Sequence, residues 1–189
     1  MSRTLSIKTG SRGAGDWASG WHLVTIHSAE YGDWEGNKFL DLTFEDYPEN
    51  LNLRLYAKIG TNGEEFVIGG LFRFANAGIE EVLDDGSTDT TVVKINDDPH
   101  NLVGKKINVL FFKKGEYTDI YSSIAPTVFK NAAESFTEDD VQYWKGKAEK
   151  RFALYNPQQL GRGNHSDTTD GKVMAVTADG SLQEEDLPF

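Results

Sequence analysis

The sequence predicts a mainly β protein. Five strands form a small, partly open barrel with one helix between the third and fourth, followed by a C-terminal helix and a flexible acidic tail. Three observations carry this. Residues 38–45 and 51–58 alternate apolar and polar at a period of two. Glycine- and proline-bearing turns punctuate the strand-like runs. A single helical stripe, residues 64–79, interrupts them.

The 189 residues divide into four zones: a lead-in (1–19), the β domain (20–129), a helical extension (130–155) and the tail (156–189). Residues 5–8 read as one short strand in a glycine-rich lead-in. Residues 21–27 are the first main strand, entered after Gly20. Residues 30–37, with Gly32 and Gly36, make a hairpin-type connection. In residues 38–45, Leu40, Leu42 and Phe44 take one face and Phe39, Asp41, Thr43 and Glu45 the other. Tyr47, Pro48, Glu49 and Asn50 form a turn. Leu51, Leu53, Leu55 and Ala57 then oppose Asn52, Arg54, Tyr56 and Lys58.

Residues 64–79 place Phe66, Leu71, Phe74 and Gly78 near one helical stripe. Glu64 and Glu65 stand where the helix dipole favours acids. Residues 91–95 and 102–105 are short extra runs. Residues 107–112 and 117–124 are the last main strands, joined by a turn at Lys113, Lys114, Gly115 and Glu116. In 130–151, Thr137 followed by Asp140 marks a capped helix start, and Lys145, Lys147, Lys150 and Arg151 fall toward its end. Three strands, a helix and two strands is the order of the OB-fold; a six- or seven-stranded sandwich is the rival.

Composition narrows the chemistry. With no cysteine there is no disulfide scaffold, thiol nucleophile or Cys-ligated metal. No apolar run approaches the length of a membrane span, and the N-terminus lacks a signal-peptide core, so a cytoplasmic protein is expected. The four histidines and the acidic pairs match no catalytic or metal-binding motif, and no phosphate loop is present. The acids at 84–89 lack the spacing of a calcium loop. No enzyme, metal or cofactor is expected. The net charge of −11 argues against a uniformly basic nucleic-acid binder. Residues 167–189 alone carry six acids and one base.

One face still suits a nucleic-acid strand. Arg54, Tyr56 and Lys58 put cation, ring and cation at two-residue spacing, so phosphates meet charge and a base meets a plate. Trp34, Lys38 and Phe39 near the first hairpin, and Lys113 and Lys114 at the last, are further candidates. The plainer reading of this face is a solvated strand surface with one ring lying along it.

The chain closes on Glu184, Glu185, Asp186, Leu187, Pro188 and Phe189. An acidic run steers toward basic pockets, Pro188 limits unbound freedom, and Phe189 offers an aromatic anchor. This ending resembles the acidic tip of bacterial single-stranded-DNA-binding proteins. Residues 31–79, with Phe39-Leu-Asp-Leu-Thr-Phe and Leu53-Arg-Leu-Tyr-Ala-Lys, resemble phage-encoded single-stranded-DNA-binding proteins. The resemblance implies an OB-fold and sequence-tolerant binding of single-stranded DNA in phage replication, recombination and repair. It also implies capture of replication and recombination proteins by the tip, in the host cytoplasm. A homo-oligomer is compatible with it. The acidic body and the short linker depart from the bacterial pattern. Two other functions compete: an acidic decoy or adaptor that occupies a host protein without binding DNA, and a metal-dependent nuclease.

Overall fold

A computed structural model describes residues 17–61, 63, 65–83 and 92–155. The lead-in strand at 5–8, the acidic loop at 84–89 and the tail with its tip lie outside these residues.

Five strands form one antiparallel sheet: β1 (Gly20–Trp34), β2 (Asn37–Phe44), β3 (Leu53–Tyr56), β6 (Lys106–Lys114) and β7 (Tyr117–Ala125). Their order is β3-β2-β1-β6-β7. A helix, α1 (Val67–Phe74), follows β3. Between α1 and β6 stands a separate hairpin of β4 (Ile79–Leu83) and β5 (Val92–Ile95), then a 3-10 turn at Pro99–Leu102. After β7 come a two-residue ladder, β8 (Phe129–Lys130) with β9 (Ser135–Phe136), and the helix α2 (Glu138–Tyr155).

Strand β1 is twice the length the sequence predicts, because it does not stop at the hairpin connection. A bulge between Ile26 and Ser28 shifts its register. Before the bulge Val24 and Ile26 face the core; after it Ala29 does, and Ser28, Glu30, Gly32 and Trp34 turn outward. The strand then continues into a two-residue turn at Glu35 (φ 54°) and Gly36 (φ 81°). Both residues are left-handed, as a tight hairpin turn of this twist requires. Asp33 Oδ1 accepts the Gly36 N–H at 2.9 Å and pins the turn.

The sheet curls around Leu40, Leu42, Leu53, Leu55, Val109 and Phe111. Its edge strands β3 and β7 come within 8 Å of one another, Cα to Cα, yet no ladder closes them among the described residues. α1 lies against both edges and buries Ile68, Leu71 and Phe72. It is shorter than the predicted 64–79. At its start the Glu65 carboxylate accepts the N–H groups of Val67, Ile68 and Gly69 at 2.8–3.0 Å, so the acid caps the helix from just outside it. At its end, Asn76 (φ 50°) and Gly78 (φ 65°) turn the chain, and a Cβ on Gly78 would meet the Asn96 carbonyl. Residues 79–83 thus become a strand. Residues 102–105 are no strand; their first residue ends the 3-10 turn.

Residues 130–136 are likewise not helical. The Asn131 side chain accepts the N–H groups of Ala133 and Glu134, both at 2.8 Å, which offers the backbone a turn in place of a helix. Phe136 then packs on Phe129 and Phe74. α2 starts where the capping signal stands. The Thr137 hydroxyl and N–H both donate to Asp140 Oδ2 at 2.7 Å, and the Asp140 N–H returns to Thr137 Oγ1 at 3.3 Å. The helix runs on to Tyr155, so the four basic residues precede its last turn.

Thr137→Ala is expected to cost about 1 kcal/mol in urea unfolding. The two Thr137 hydrogen bonds also hold the Asp140 carboxyl below its ordinary 3.8. The folded state therefore favours the ionised form. That contribution is present at neutral pH and is lost as pH falls through the lowered value. Asp140→Asn should remove this part of the acid dependence, seen as a flatter plot of stability against pH.

Candidate nucleic-acid interface

The outer surface of the curled sheet is divided in two by α2. Over β1, β6 and β7 the helix covers it. Phe152 is buried 5.1 Å from the rings of both Phe112 and Tyr121, and Trp21 Nε1 donates to Glu149 at 2.7 Å. The link from α1 to α2 is fixed by Phe74, 4.9 Å from the Trp144 ring, and by the Arg73–Glu134 ion pair at 2.7 Å beside it. Over β2, β3 and the second half of β1 no helix lies across the outer face among the described residues.

Cross-strand register sets the rows on this open half. Ser28 pairs with Thr43, their hydroxyls 2.6 Å apart. Glu30, Asp41 and Arg54 form the next row, and Gly32, Phe39 and Tyr56 the one after; Trp34 stands beyond, at the turn. Arg54, Tyr56 and Phe39 are therefore neighbours across β2 and β3, and Trp34 follows on the same face one row further along β1.

Their electrostatics differ from a simple cationic stripe. Arg54 makes a two-pronged ion pair with Asp41, Nε to Oδ1 at 2.7 Å and Nη2 to Oδ2 at 2.6 Å. Its guanidinium lies 3.8 Å above the centre of the Phe39 ring. Hydrogen bonding to Asp41 first, and to Tyr56 second, raises its pKa above an already high ordinary value. With Glu30 beside the pair, this row carries no surplus positive charge.

Phe39, a further candidate from the sequence, is not an open ring. It is only 9% exposed, covered by Arg54 and by Tyr56, whose ring is edge-on at 5.7 Å. A Cβ on Gly32 would overlap the Phe39 ring, so glycine at 32 makes room for this layer. Phe39 is the floor of the site. The open plates are Tyr56, 40% exposed, and Trp34, 60% exposed.

The lysines scatter. Lys38 pairs with Asp33 on the face opposite Phe39, since neighbours in a strand point oppositely. It borders a hollow with Tyr31 and Asp97, where burial and then Asp97 push the Tyr31 phenol up to about 12. Lys58 lies past the end of β3 and is exposed; its N–H donates to Glu65 at 3.1 Å. Lys113 and Lys114 sit at the β6–β7 hairpin, at the far end of the sheet from Trp34. Lys113 donates to Thr118 at 3.2 Å, and Lys114 is 3.7 Å from Asp119. Of the eight predicted residues the structure thus gathers Arg54, Phe39 and Tyr56, sets Trp34 beyond them on the same face, and leaves the four lysines at the margins.

Sequence reading missed Asp41 as the partner of Arg54. The alternation put both on polar faces, but only the β2–β3 register sets them opposite. Among the described residues no cluster of three or more acids and histidines is placed to hold a metal ion, and no helix is long and apolar enough to cross a membrane. No protein-family model matches the chain, and no curated protein matches it.

Proposed function

We propose that the chain binds single-stranded DNA with little regard to sequence on the open half of an OB-fold sheet, and that residues 184–189 recruit replication and recombination proteins. Strand order supports the fold reading. A sheet ordered β3-β2-β1-β6-β7, with its edges close and a helix against both, is what an OB-fold reading requires, with β4 and β5 read as an insertion before the fourth strand. The observation that carries the function is an exposed Tyr56 ring in the row next to the Arg54 guanidinium, with the exposed Trp34 ring further along the same outer face, on a surface that α2 leaves open among the described residues.

Bases stack on the rings, each worth about 1–3 kcal/mol. A phosphate replaces the Asp41 carboxylate on the Arg54 fork, since both offer paired oxygens to it. Lys58 lies to the side of the path, and Lys38 on the opposite face of the sheet. The proposed setting is the host cytoplasm, in phage replication, recombination and repair.

The ion pair makes a second reading concrete. If Arg54 stays with Asp41, the face binds nothing anionic and the chain acts as an acidic adaptor through its tip. Titration with oligo-dT across a salt series separates the two. DNA binding quenches tryptophan fluorescence, and affinity falls as salt rises. An adaptor leaves fluorescence unchanged at every salt concentration.

Asp41→Asn is the sharper test of the exchange. Removing the competing carboxylate should tighten oligo-dT binding by about fivefold to tenfold at low salt, with the gain shrinking as salt screens it. Weaker binding by this variant would mean that Asp41 holds Arg54 in its productive position.

A further inference from the structure

A groove of about 500 Å³ lies where the chain enters β3 and β7, between Trp17, Pro48, Asn50, Lys114, Tyr117 and Asp119. Of these only Lys114 was legible as a contact from sequence. Tyr117 opens β7 and is 69% exposed. Trp17 packs on Tyr47 with ring centres 4.8 Å apart, and its backbone carbonyl accepts the Thr118 hydroxyl at 3.3 Å. The Trp17 indole N–H is buried and meets no acceptor among the described residues.

The walls match the parts of a nucleotide. Tyr117 and Pro48 offer flat surfaces to a base. The Asn50 amide carries both a donor and an acceptor for a base edge. Lys114 supplies an ammonium, held only in a loose, exposed pair with Asp119. Asp119 also makes the groove less hospitable to a doubly charged free monophosphate than to a singly charged phosphodiester.

Resting on the DNA-binding reading above, we infer that this groove takes one nucleotide of a bound single strand, as a stacking station separate from the Tyr56–Trp34 face. The six residue steps from Asn50 to Tyr56 span at most about 20 Å, a gap that a few nucleotides bridge. Short strands therefore fill one station, and longer ones fill both.

The test measures oligo-dT binding by the full chain at lengths from about 4 to about 16 nucleotides, the range of OB-fold sites. Tyr117→Ala, Tyr117→Phe and the parent are compared, with dTMP as a separate probe. Tyr117→Ala should bind the longest strand about 5- to 100-fold more weakly and the shortest one normally. Tyr117→Phe should bind like the parent, because it keeps the ring. A Tyr117→Ala variant indistinguishable from a DNA-binding parent at every length overturns the groove and leaves the open-face reading intact. Tight dTMP binding that Tyr117→Ala abolishes also overturns it, since the groove would then be a free-nucleotide site. No binding of any strand by the parent overturns the reading beneath both.

Discussion

A Trp34→Ala/Tyr56→Ala double variant is expected to bind oligo-dT between about 30-fold and about twenty-thousand-fold more weakly than the parent chain. The range follows from two stacking surfaces at about 1–3 kcal/mol each, and from about 1.4 kcal/mol for each tenfold in affinity. Both rings are exposed, so their removal takes little from the core. The exception is the edge-on contact of Tyr56 with Phe39, worth about 1 kcal/mol. The thermal midpoint should therefore move by only a few degrees. Trp34→Phe/Tyr56→Phe keeps two plates and should recover most of the binding. Fluorescence anisotropy with labelled oligo-dT gives the affinities, and circular dichroism the melting. Unchanged affinity in the alanine variant would place the DNA elsewhere.

Phe39→Ala is expected to destabilise the protein by about 3–5 kcal/mol, the cost of emptying a buried aromatic site. Its ring fills the space that Gly32 leaves, and it supports both Arg54 and Tyr56. Removing it opens a cavity and takes away the surface that orients the guanidinium. DNA affinity should fall with stability. Phe39→Leu separates the two effects: it refills much of the volume but loses the flat face under Arg54. Urea unfolding of Phe39→Leu should show a smaller loss than Phe39→Ala, while oligo-dT affinity stays reduced. Full affinity in Phe39→Leu would show that the Arg54–ring contact has no part in binding.

The strands were legible where one face is buried and the other is wet. β2 and β3 alternate strictly because Leu40, Leu42, Leu53 and Leu55 must all enter the core while Asp41 and Arg54 must not. The cap of α2 was legible because Thr137 and Asp140 act locally. Three features were not. The long reach of β1 depends on a bulge that places Ser28 and its successors opposite β2, a property of two strands together. Residues 80–83 sit exposed, and the strand exists through pairing with β5. The turn at Asn131 overrides a helix-compatible composition in 130–136 through a side-chain acceptor.

The site follows the same division. Which residues face outward can be read from alternation, so Arg54 and Tyr56 share a side as expected. Which outward residues meet is set by register. That is why Asp41 neutralises Arg54; Lys38, one residue from Phe39, lies on the other face by alternation itself. Register is also why Phe39 is a floor instead of a plate: its neighbours across the strands, Gly32 and Tyr56, let it sink and then cover it.

The central claim is that a single strand lies across the open half of the sheet. Ultraviolet cross-linking of the full chain to oligo-dT, followed by mass mapping of the attached peptides, tests it most directly. The account predicts adducts at Trp34 and Tyr56 and none at Trp144, whose ring packs against Phe74 between α1 and α2. Adducts confined to α2, or none at all with strands of about 16 nucleotides, would contradict it.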